Sequence, residues 1–285
     1  MSSPRTEPRT TPTLAARLVR RLDLAEDGPD SFVGQPGRGE GAVFGGLLLA
    51  QAVMAVGRTA SDRDLHSLHA YFLRPGKYGV PIRFRVTRVR NGTSFAARSV
   101  VAEQAGKEIL HLTASFTVHE KGFSHQDTMP AAPPPEGLPE WEEVRAALAG
   151  DPAQRRADGP IEVRLCEPES APPGAKLAPR RNVWLRPRGQ LPADALVNAA
   201  FLVYASDRTL LRTAARPHGL TWRLKVGASL DHAVWLHRAP RFDDWLLYAT
   251  SSPVAHGARA LLLGAMYRRD GTRIASIAQE GLLRV

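Results

Sequence analysis

One carboxylate interrupts an otherwise apolar helical pattern in the second half of the chain. In the segment FLVYASDRTLL, residues 201–211, Asp207 falls at helical spacing on the same face as Val203, Leu210 and Leu211. An ionised carboxylate removed from water is costly unless hydrogen bonds or an opposite charge compensate it. The spacing therefore predicts an inward-facing Asp207 with polar partners, either as a structural carboxylate or as a base.

The histidines give weaker signals than Asp207. His66 and His69 are three residues apart on a predicted strand, so they face opposite sides of it, which is poor geometry for one metal ion. His232 and His237 lie on a second predicted strand, where structural or surface roles are commoner than catalytic ones. We therefore expect no metal site.

Several common catalytic motifs are missing from the sequence. There is no Gly-x-Ser-x-Gly elbow, which argues against the serine nucleophile of an α/β-hydrolase. There is also no Gly-x-x-x-x-Gly-Lys-Ser/Thr loop and no Gly-x-Gly-x-x-Gly after a strand. The sequence thus predicts neither nucleotide hydrolysis nor dinucleotide binding.

Composition and charge indicate a soluble globular protein whose basic excess reflects either an Arg-rich solvated surface or an anionic partner. The chain has 285 residues, a net charge of +10 and one cysteine, Cys166, which is typical of a reducing, cytoplasmic setting. The first residues, MSSPRTEPRTTP, lack the apolar core of a signal peptide. The most apolar run is interrupted by Gln51 and is too short for a bilayer. The basic residues are scattered, so we expect no nucleic-acid binding and no membrane insertion.

The same order of elements occurs twice along the chain. A helical segment comes first, GGLLLAQAVMAVGRTA in one half and ADALVNAAFLVYASDRTLLRTAA in the other. A strand with a His-Ala pair follows, HSLHAYFLRP and then SLDHAVWLHR, and a series of strands joined by tight turns completes each half. This repetition predicts an α+β fold in which each half wraps an antiparallel sheet around a helix.

Proline-dense segments separate the two halves. We predict a disordered tail at residues 1–12, an N-terminal domain at 13–118, a proline-rich linker at 119–159 and a C-terminal domain at 160–285. A short helix is expected within the linker, from Trp141 to Leu148.

Nine segments in order resemble the acyl-CoA thioesterase II family. They include VFGGLLLAQAV, LHSLHAYFLRPG, RNGTSFAARSV, YASD, LDHAVWLHR and DGTRIASIAQEGLLR, and the resemblance runs from about residue 13 to the C-terminus. It implies a double hotdog, that is, two helix-wrapped antiparallel sheets in one chain. It also implies hydrolysis of acyl-CoA to a free acid and coenzyme A, without a metal or redox cofactor.

The resemblance also implies a catalytic set of Asp, Ser or Thr, and Gln. Matched segment by segment, these are Asp207 in YASD, Ser229 two residues before the Asp of LDHAVW, and Gln279 in QEG. Gln279 shares a strand face with Ala275 and Ile277, so it is expected to point toward the helix. Asp207 would activate a water molecule that Ser229 and Gln279 orient, and the catalytic residues would all belong to the C-terminal domain.

Three further residues are candidate substrate-binding residues. Gly45 and Gly46, at the start of the first-half helix, would let a ligand approach the backbone, or would serve only helix packing. His69 is the third. Two other functions stay open, a hotdog hydratase or dehydratase that uses His69 or His232, and a non-catalytic acyl-CoA-binding protein. We expect a homo-oligomer, because hotdog sheets usually leave edges and faces that associate.

Overall fold

The computed structural model describes residues 12–148, 159–167, 174–220 and 226–284. The tail predicted at residues 1–12 lies, except for its last residue, outside the described part of the chain, as do residues 149–158 of the predicted linker. Within the described residues no helix is both long enough and apolar enough to cross a membrane.

From the central helix of each half onward the elements follow the predicted order, whereas the elements that precede those helices were not predicted, except for the short helix at Trp141–Leu148. The first half contains α1 (Leu14–Leu22), β1 (Ala25–Glu26), β2 (Ser31–Gly34), α2 (Gly45–Gly57), β3 (Asp64–Phe72), β4 (Ile82–Asn91), β5 (Phe95–Gln104) and β6 (Lys107–Thr117). The second contains α3 (Trp141–Leu148), β7 (Ile161–Leu165), β8 (Arg180–Pro187), α4 (Ala195–Ser206), α5 (Leu210–Ala215), β9 (Val226–Ser229), β10 (Asp231–Leu236), β11 (Leu246–His256), β12 (Arg259–Arg268) and β13 (Arg273–Arg284). The short helix expected at Trp141–Leu148 is therefore confirmed as α3.

The strands of both halves form one continuous antiparallel sheet. Its order is β1-β2-β4-β5-β6-β3-β10-β13-β12-β11-β8-β7, with β9 paired to β13. Strands β3 and β10 join the halves, with Leu68 opposite Val234. The sequence predicted two sheets, whereas the structure has one, because each half presents an unpaired edge strand whose backbone groups the other half satisfies.

Helices α2 and α4 pack against each other in the core of the protein. Every residue of α2 from Gly46 to Gly57 is buried, as is every residue of α4 from Val197 to Ser206. A helix that is apolar on all sides is stable only when it is enclosed. The sheet and the second helix provide that enclosure, and the first turn of α2 is thereby brought beside the end of α4.

The helix predicted through residue 215 is wrong in one respect, since it breaks at Asp207. Helix α4 ends at Ser206, and α5 begins only at Leu210. The Ser206 hydroxyl lies 2.8 Å from the Val203 carbonyl oxygen, and the Asp207 backbone N–H donates to the Ala205 carbonyl. Such local hydrogen bonds compete with the helical ladder and favour a helix end. Asp207 therefore lies at a helix terminus rather than on the face of a continuous helix.

Candidate active site

A cavity of about 680 Å³ opens between the first turn of α2, the end of α4 and strand β9. Asp207 and Ser229 line it together with Gly45. Much of the remaining lining is apolar and includes Val43, Phe44, Leu48, Phe72, Leu211 and Leu230. A concave, mostly apolar site with a few converging polar groups is the usual form of a small-molecule site.

The Asp207 carboxylate accepts hydrogen bonds from both halves of the chain. Ser229 Oγ donates to its Oδ1 over 3.1 Å, and the backbone N–H of Gly46 also donates to the carboxylate. Gly46 belongs to the first turn of α2, where the helix dipole favours a negative charge. The second half thus supplies the carboxylate and the first half supplies a helix N-terminus that stabilises it.

Gln279 lies behind Ser229 and completes the predicted group of three. Its Nε2 donates to Ser229 Oγ over 2.9 Å, and its side chain is almost completely buried on β13. Ala275 and Ile277 are buried on the same face of that strand, as the alternation predicted. Three residues separated by as many as 72 positions in the sequence are therefore connected through hydrogen bonds.

A histidine continues this series of hydrogen bonds into the core. His232, on β10, is fully buried. Its Nδ1 lies 2.5 Å from Gln279 Oε1, and its Nε2 lies 2.8 Å from Ser206 Oγ. The sequence analysis gave His232 only a structural role or the base of an alternative enzyme. Its alternation with Val234 and Leu236, both buried, was the signal that it faces inward.

Burial raises the pKa of Asp207 from its ordinary 3.8 to about 6. Hydrogen bonds from Ser229 and Gly46, and the positive charge of Arg208, act in the opposite direction and lower it. The carboxylate is consequently more basic than an exposed one and still mostly ionised at neutral pH. That combination suits a general base in a neutral solution.

The two glycines occupy different positions at this site. A Cβ on Gly46 would meet the Tyr204 carbonyl oxygen, so this glycine is required for the close approach of α2 and α4. A Cβ on Gly45 would lie 2.8 Å from Asp207 Oδ2. Packing therefore accounts for Gly46, while Gly45 leaves room around the carboxylate itself.

His69 is not brought to this group of residues. Leu68 and Ala70 are buried, so alternation along β3 turns His69 to the outer, exposed face of the sheet. There its ring lies edge-on to Trp235, with 5.1 Å between the ring centroids. The His-Ala pairs of the two halves are thus not equivalent, because His69 faces outward and His232 faces inward.

The raised pKa leads to a prediction about stability. A carboxyl with a folded pKa of about 6 and an ordinary value of 3.8 favours folding at low pH, and that contribution disappears as the pH rises through 6. The difference of about 2 corresponds to roughly 3 kcal/mol. We expect Asp207→Asn to raise the free energy of unfolding at pH 8, because it removes the buried charge. The gain should be about 1 to 2 kcal/mol rather than the full 3, because one donor then faces an amide N–H instead of an oxygen.

Urea unfolding at pH 8 and pH 4 measures this effect. At pH 4, where the wild-type carboxyl is protonated, the advantage of the variant should disappear, and the mismatched amide should leave it less stable than the wild type by about 1 to 2 kcal/mol. A variant that is less stable than the wild type at pH 8 would contradict the burial of a charged Asp207.

Two family models match most of the chain. The model described as acyl-CoA thioesterase matches residues 151–282, and the model described as acyl-CoA thioesterase N-terminal domain matches residues 35–117. An acyl-CoA thioesterase 2 from Haemophilus influenzae is 38% identical over 250 residues, which cover 85% of this chain and 87% of that protein.

Solved structures give the same result. The chain is similar to an acyl-CoA thioesterase II from Mycobacterium marinum, with a TM-score of 0.79, 38% identity, and coverage of 94% of this chain and 97% of that one. A hotdog-fold protein of unknown function from Alicyclobacillus acidocaldarius, at 20% identity, has a TM-score of 0.77 with coverage of 94% and 98%. The second likeness concerns the fold alone.

Proposed function

The chain belongs to the acyl-CoA thioesterase family, and from that membership we propose that it hydrolyses acyl-CoA thioesters through a water molecule activated by Asp207. The products are a free acid and coenzyme A. Ser229 and Gln279 orient the Asp207 carboxylate and the water, and no covalent acyl-enzyme is needed.

One observation supports this assignment above the others. Asp207 combines a pKa raised to about 6 with a position on the cavity wall and a hydrogen bond from Ser229. A purely structural carboxylate would be expected to have ion-pair partners that lower its pKa, as Glu162 has with Arg164 and Arg186. Asp207 is instead held by neutral donors, which leaves it free to accept a proton.

The reaction follows from this arrangement. Asp207 takes a proton from the water as the water oxygen attacks the thioester carbonyl carbon, and the carbonyl oxygen becomes an oxyanion. The carbon–sulfur bond then breaks, and the leaving thiolate receives the proton that Asp207 holds. The backbone N–H of Gly45, at the start of α2, is the proposed donor to the oxyanion, since the N–H of Gly46 donates to Asp207 and those of Leu47 and Leu48 donate to the Phe44 carbonyl.

A nucleophilic Ser229 is a weaker alternative to this mechanism. A histidine usually activates such a serine, but His232 reaches Ser229 only through Gln279. A burst of thiol release equal to the enzyme concentration would favour the covalent route instead.

The cavity fits the two ends of an acyl-CoA. Leu48 and Phe72 provide apolar lining for the acyl chain. Arg74, Arg208 and Arg212 also line the cavity and could attract the phosphates of coenzyme A.

We further propose that the chain is a double hotdog with its halves at residues 13–118 and 160–285, the sheets of the two halves being joined into one by the pairing of β3 with β10. The two helix-and-sheet units and the segment between them support this division. We also propose a cytoplasmic homo-oligomer. Tyr71, Trp235, Leu261 and Leu263 are exposed on the outer side of the sheet, where they would favour association. Light scattering of the purified protein measures its mass.

The residues of this site argue against the two alternative functions, a hydratase or dehydratase and a non-catalytic acyl-CoA-binding protein. A hydratase or dehydratase would use His69 or His232 as its base, yet His69 faces away from the cavity and His232 is engaged by Ser206 and Gln279. A non-catalytic binder would have no use for a carboxylate whose pKa is raised.

Thiol release from a panel of saturated acyl-CoAs, short to long, tests the proposed function. We expect steady release with a preference for one range of chain lengths. Tight binding of an acyl-CoA with no thiol release over hours would support a binder and contradict hydrolysis. Hydration of an enoyl-CoA without thiol release would support a hydratase.

A further inference from the structure

His232 is the one buried histidine joined to the catalytic group, and the proposed mechanism leaves it without a task. It is fully buried and is not among the residues that line the cavity, so within the described residues it does not reach the space a substrate would fill. Its two ring nitrogens nevertheless both have polar partners, Gln279 on one side and Ser206 on the other. Any influence on the reaction must therefore pass through Gln279.

The direction of each hydrogen bond can be worked out from the carboxylate. An ionised Asp207 only accepts, so the Ser229 hydroxyl must give its single hydrogen to Asp207. Ser229 then has only lone pairs for Gln279, and Gln279 must turn its NH₂ toward Ser229. The amide oxygen of Gln279 is left facing His232 Nδ1, which must carry a hydrogen to donate.

The hydrogen bond between His232 and Ser206 involves the other ring nitrogen, Nε2. Burial lowers the pKa of His232 to about 4, so the ring is neutral at neutral pH and carries one hydrogen, on Nδ1. Its Nε2 is then an acceptor for the Ser206 hydroxyl, 2.8 Å away, whose single hydrogen turns from the Val203 carbonyl to His232 in this arrangement. Every donor from Ser206 to Ser229 thus points toward Asp207.

A reverse arrangement satisfies the same groups when Asp207 is protonated, and it keeps the Ser206 hydrogen bond to the Val203 carbonyl. The Asp207 hydroxyl would donate to Ser229, Ser229 to the Gln279 oxygen, and the Gln279 NH₂ to a His232 Nδ1 without a hydrogen. The Nε2–H of His232 would then donate to Ser206, whose hydrogen serves the Val203 carbonyl 2.8 Å away. The tautomer of His232 and the charge of Asp207 are therefore linked through the orientation of one amide.

We propose that His232 is a positioning residue for hydrolysis: its Nδ1–H holds the Gln279 amide in the orientation that leaves the Ser229 hydrogen for an ionised Asp207. This inference rests on the proposed function, since it assigns a role in that reaction. Without His232, the Gln279 amide is free to rotate, Ser229 can donate to Gln279 instead, and the carboxylate loses a donor that favours its charged form.

The other groups around Asp207 do not fix the orientation of the Gln279 amide. Burial raises the pKa values of Tyr204 and Tyr248, the charge of Asp207 adds to that effect, and both are neutral at neutral pH. Arg208 attracts the charge, and Arg74 and Arg212 line the same cavity. Around His232 itself, β3 contributes Ala70, β13 contributes Gln279 and α4 contributes Ser206, none of which is charged.

Two substitutions separate positioning from packing. His232→Leu fills the space without a donor, whereas His232→Asn can present its NH₂ near the position of Nδ1. For His232→Leu we expect the acidic limb of kcat/KM to move upward by about one pH unit and kcat at its plateau to fall by about tenfold or more, with KM changed by less than about threefold. His232→Asn should return the acidic limb of kcat/KM to its wild-type pH and restore most of kcat.

The outcome that overturns the proposal is a His232→Leu variant with an unmoved acidic limb, or Leu and Asn variants with equal losses. Circular dichroism checks folding of both. If neither substitution yields folded protein, Ser206→Ala is the third variant, because it removes the hydroxyl that donates to His232 Nε2. We expect the acidic limb to move upward in this variant as well, by less than in His232→Leu. An unmoved limb in folded Ser206→Ala would then overturn the proposal.

Nitrogen NMR of histidine-labelled protein tests the arrangement independently of activity. At pH 7.5 we expect the His232 signals, assigned by their loss in His232→Asn, to be those of a neutral ring with its hydrogen on Nδ1. A hydrogen on Nε2 would refute the proposal even in an active enzyme. Conversely, no thiol release by the wild type from any acyl-CoA would refute the proposed function, while this measurement would still report the tautomer.

Discussion

We expect Asp207→Asn to lower kcat for acyl-CoA hydrolysis by about 10² to 10⁴-fold, the usual contribution of a general base. The Asn side chain has nearly the same size and can still accept from Ser229, but it cannot take a proton from water. KM should change little, because the substitution acts on a group that matters in the transition state. Steady-state thiol release by the purified variant measures the effect.

Asp243→Asn is the matched control for this substitution. Its carboxylate is exposed and pairs with the exposed Arg241, away from the residues that line the cavity. It should retain wild-type kcat. If Asp207→Asn folds and also retains kcat within about threefold, Asp207 has no part in the chemistry.

Gly45→Ala is the second substitution with a large expected effect. The added methyl would lie 2.8 Å from Asp207 Oδ2, with the Phe72 ring 3.1 Å away on another side. The carboxylate is the movable partner, so it should rotate away while the backbone stays in place. Because a displacement of about 1 Å in a catalytic group can cost about 10²-fold in rate, we expect a loss of that size in kcat with little change in Tm.

Gly57→Ala provides the comparison at the opposite end of the same helix. Its methyl would meet the side chain of Leu196 rather than Asp207. If the glycines of α2 serve only packing, both variants should lose stability and keep kcat. If Gly45 makes room for the carboxylate, only Gly45→Ala should lose activity. Wild-type kcat in folded Gly45→Ala would contradict the proposed position of Asp207.

Much of the fold could be predicted from the sequence because its patterns are local. Alternation placed Ala275, Ile277 and Gln279 on one face of a strand, and their burial confirms that prediction. The merging of the two sheets could not be predicted, since it depends on the pairing of β3 with β10 across about 160 residues. The break at Asp207 was also missed, because its helix-ending hydrogen bonds compete with a pattern that favours a continuous helix.

The candidate site was predictable in its members but not in its connections. Asp207, Ser229 and Gln279 came from matched motifs, and the structure brings their side chains into hydrogen-bond contact. His232 was missed as a partner because strand spacing gives the face of a residue but not the neighbour across it. His69 was named as a candidate substrate-binding residue, although its alternation with Leu68 and Ala70 indicated the outer face of the sheet.

The pH dependence of kcat/KM for the wild type is the most direct test of Asp207 as the base. This ratio reports the free enzyme, in which burial raises the pKa of Asp207 to about 6. The carboxylate must be ionised to accept a proton, so activity should be full above pH 7, half-maximal near pH 6, and about tenfold lower for each further pH unit. A profile that stays flat down to pH 5 in folded enzyme would contradict the account.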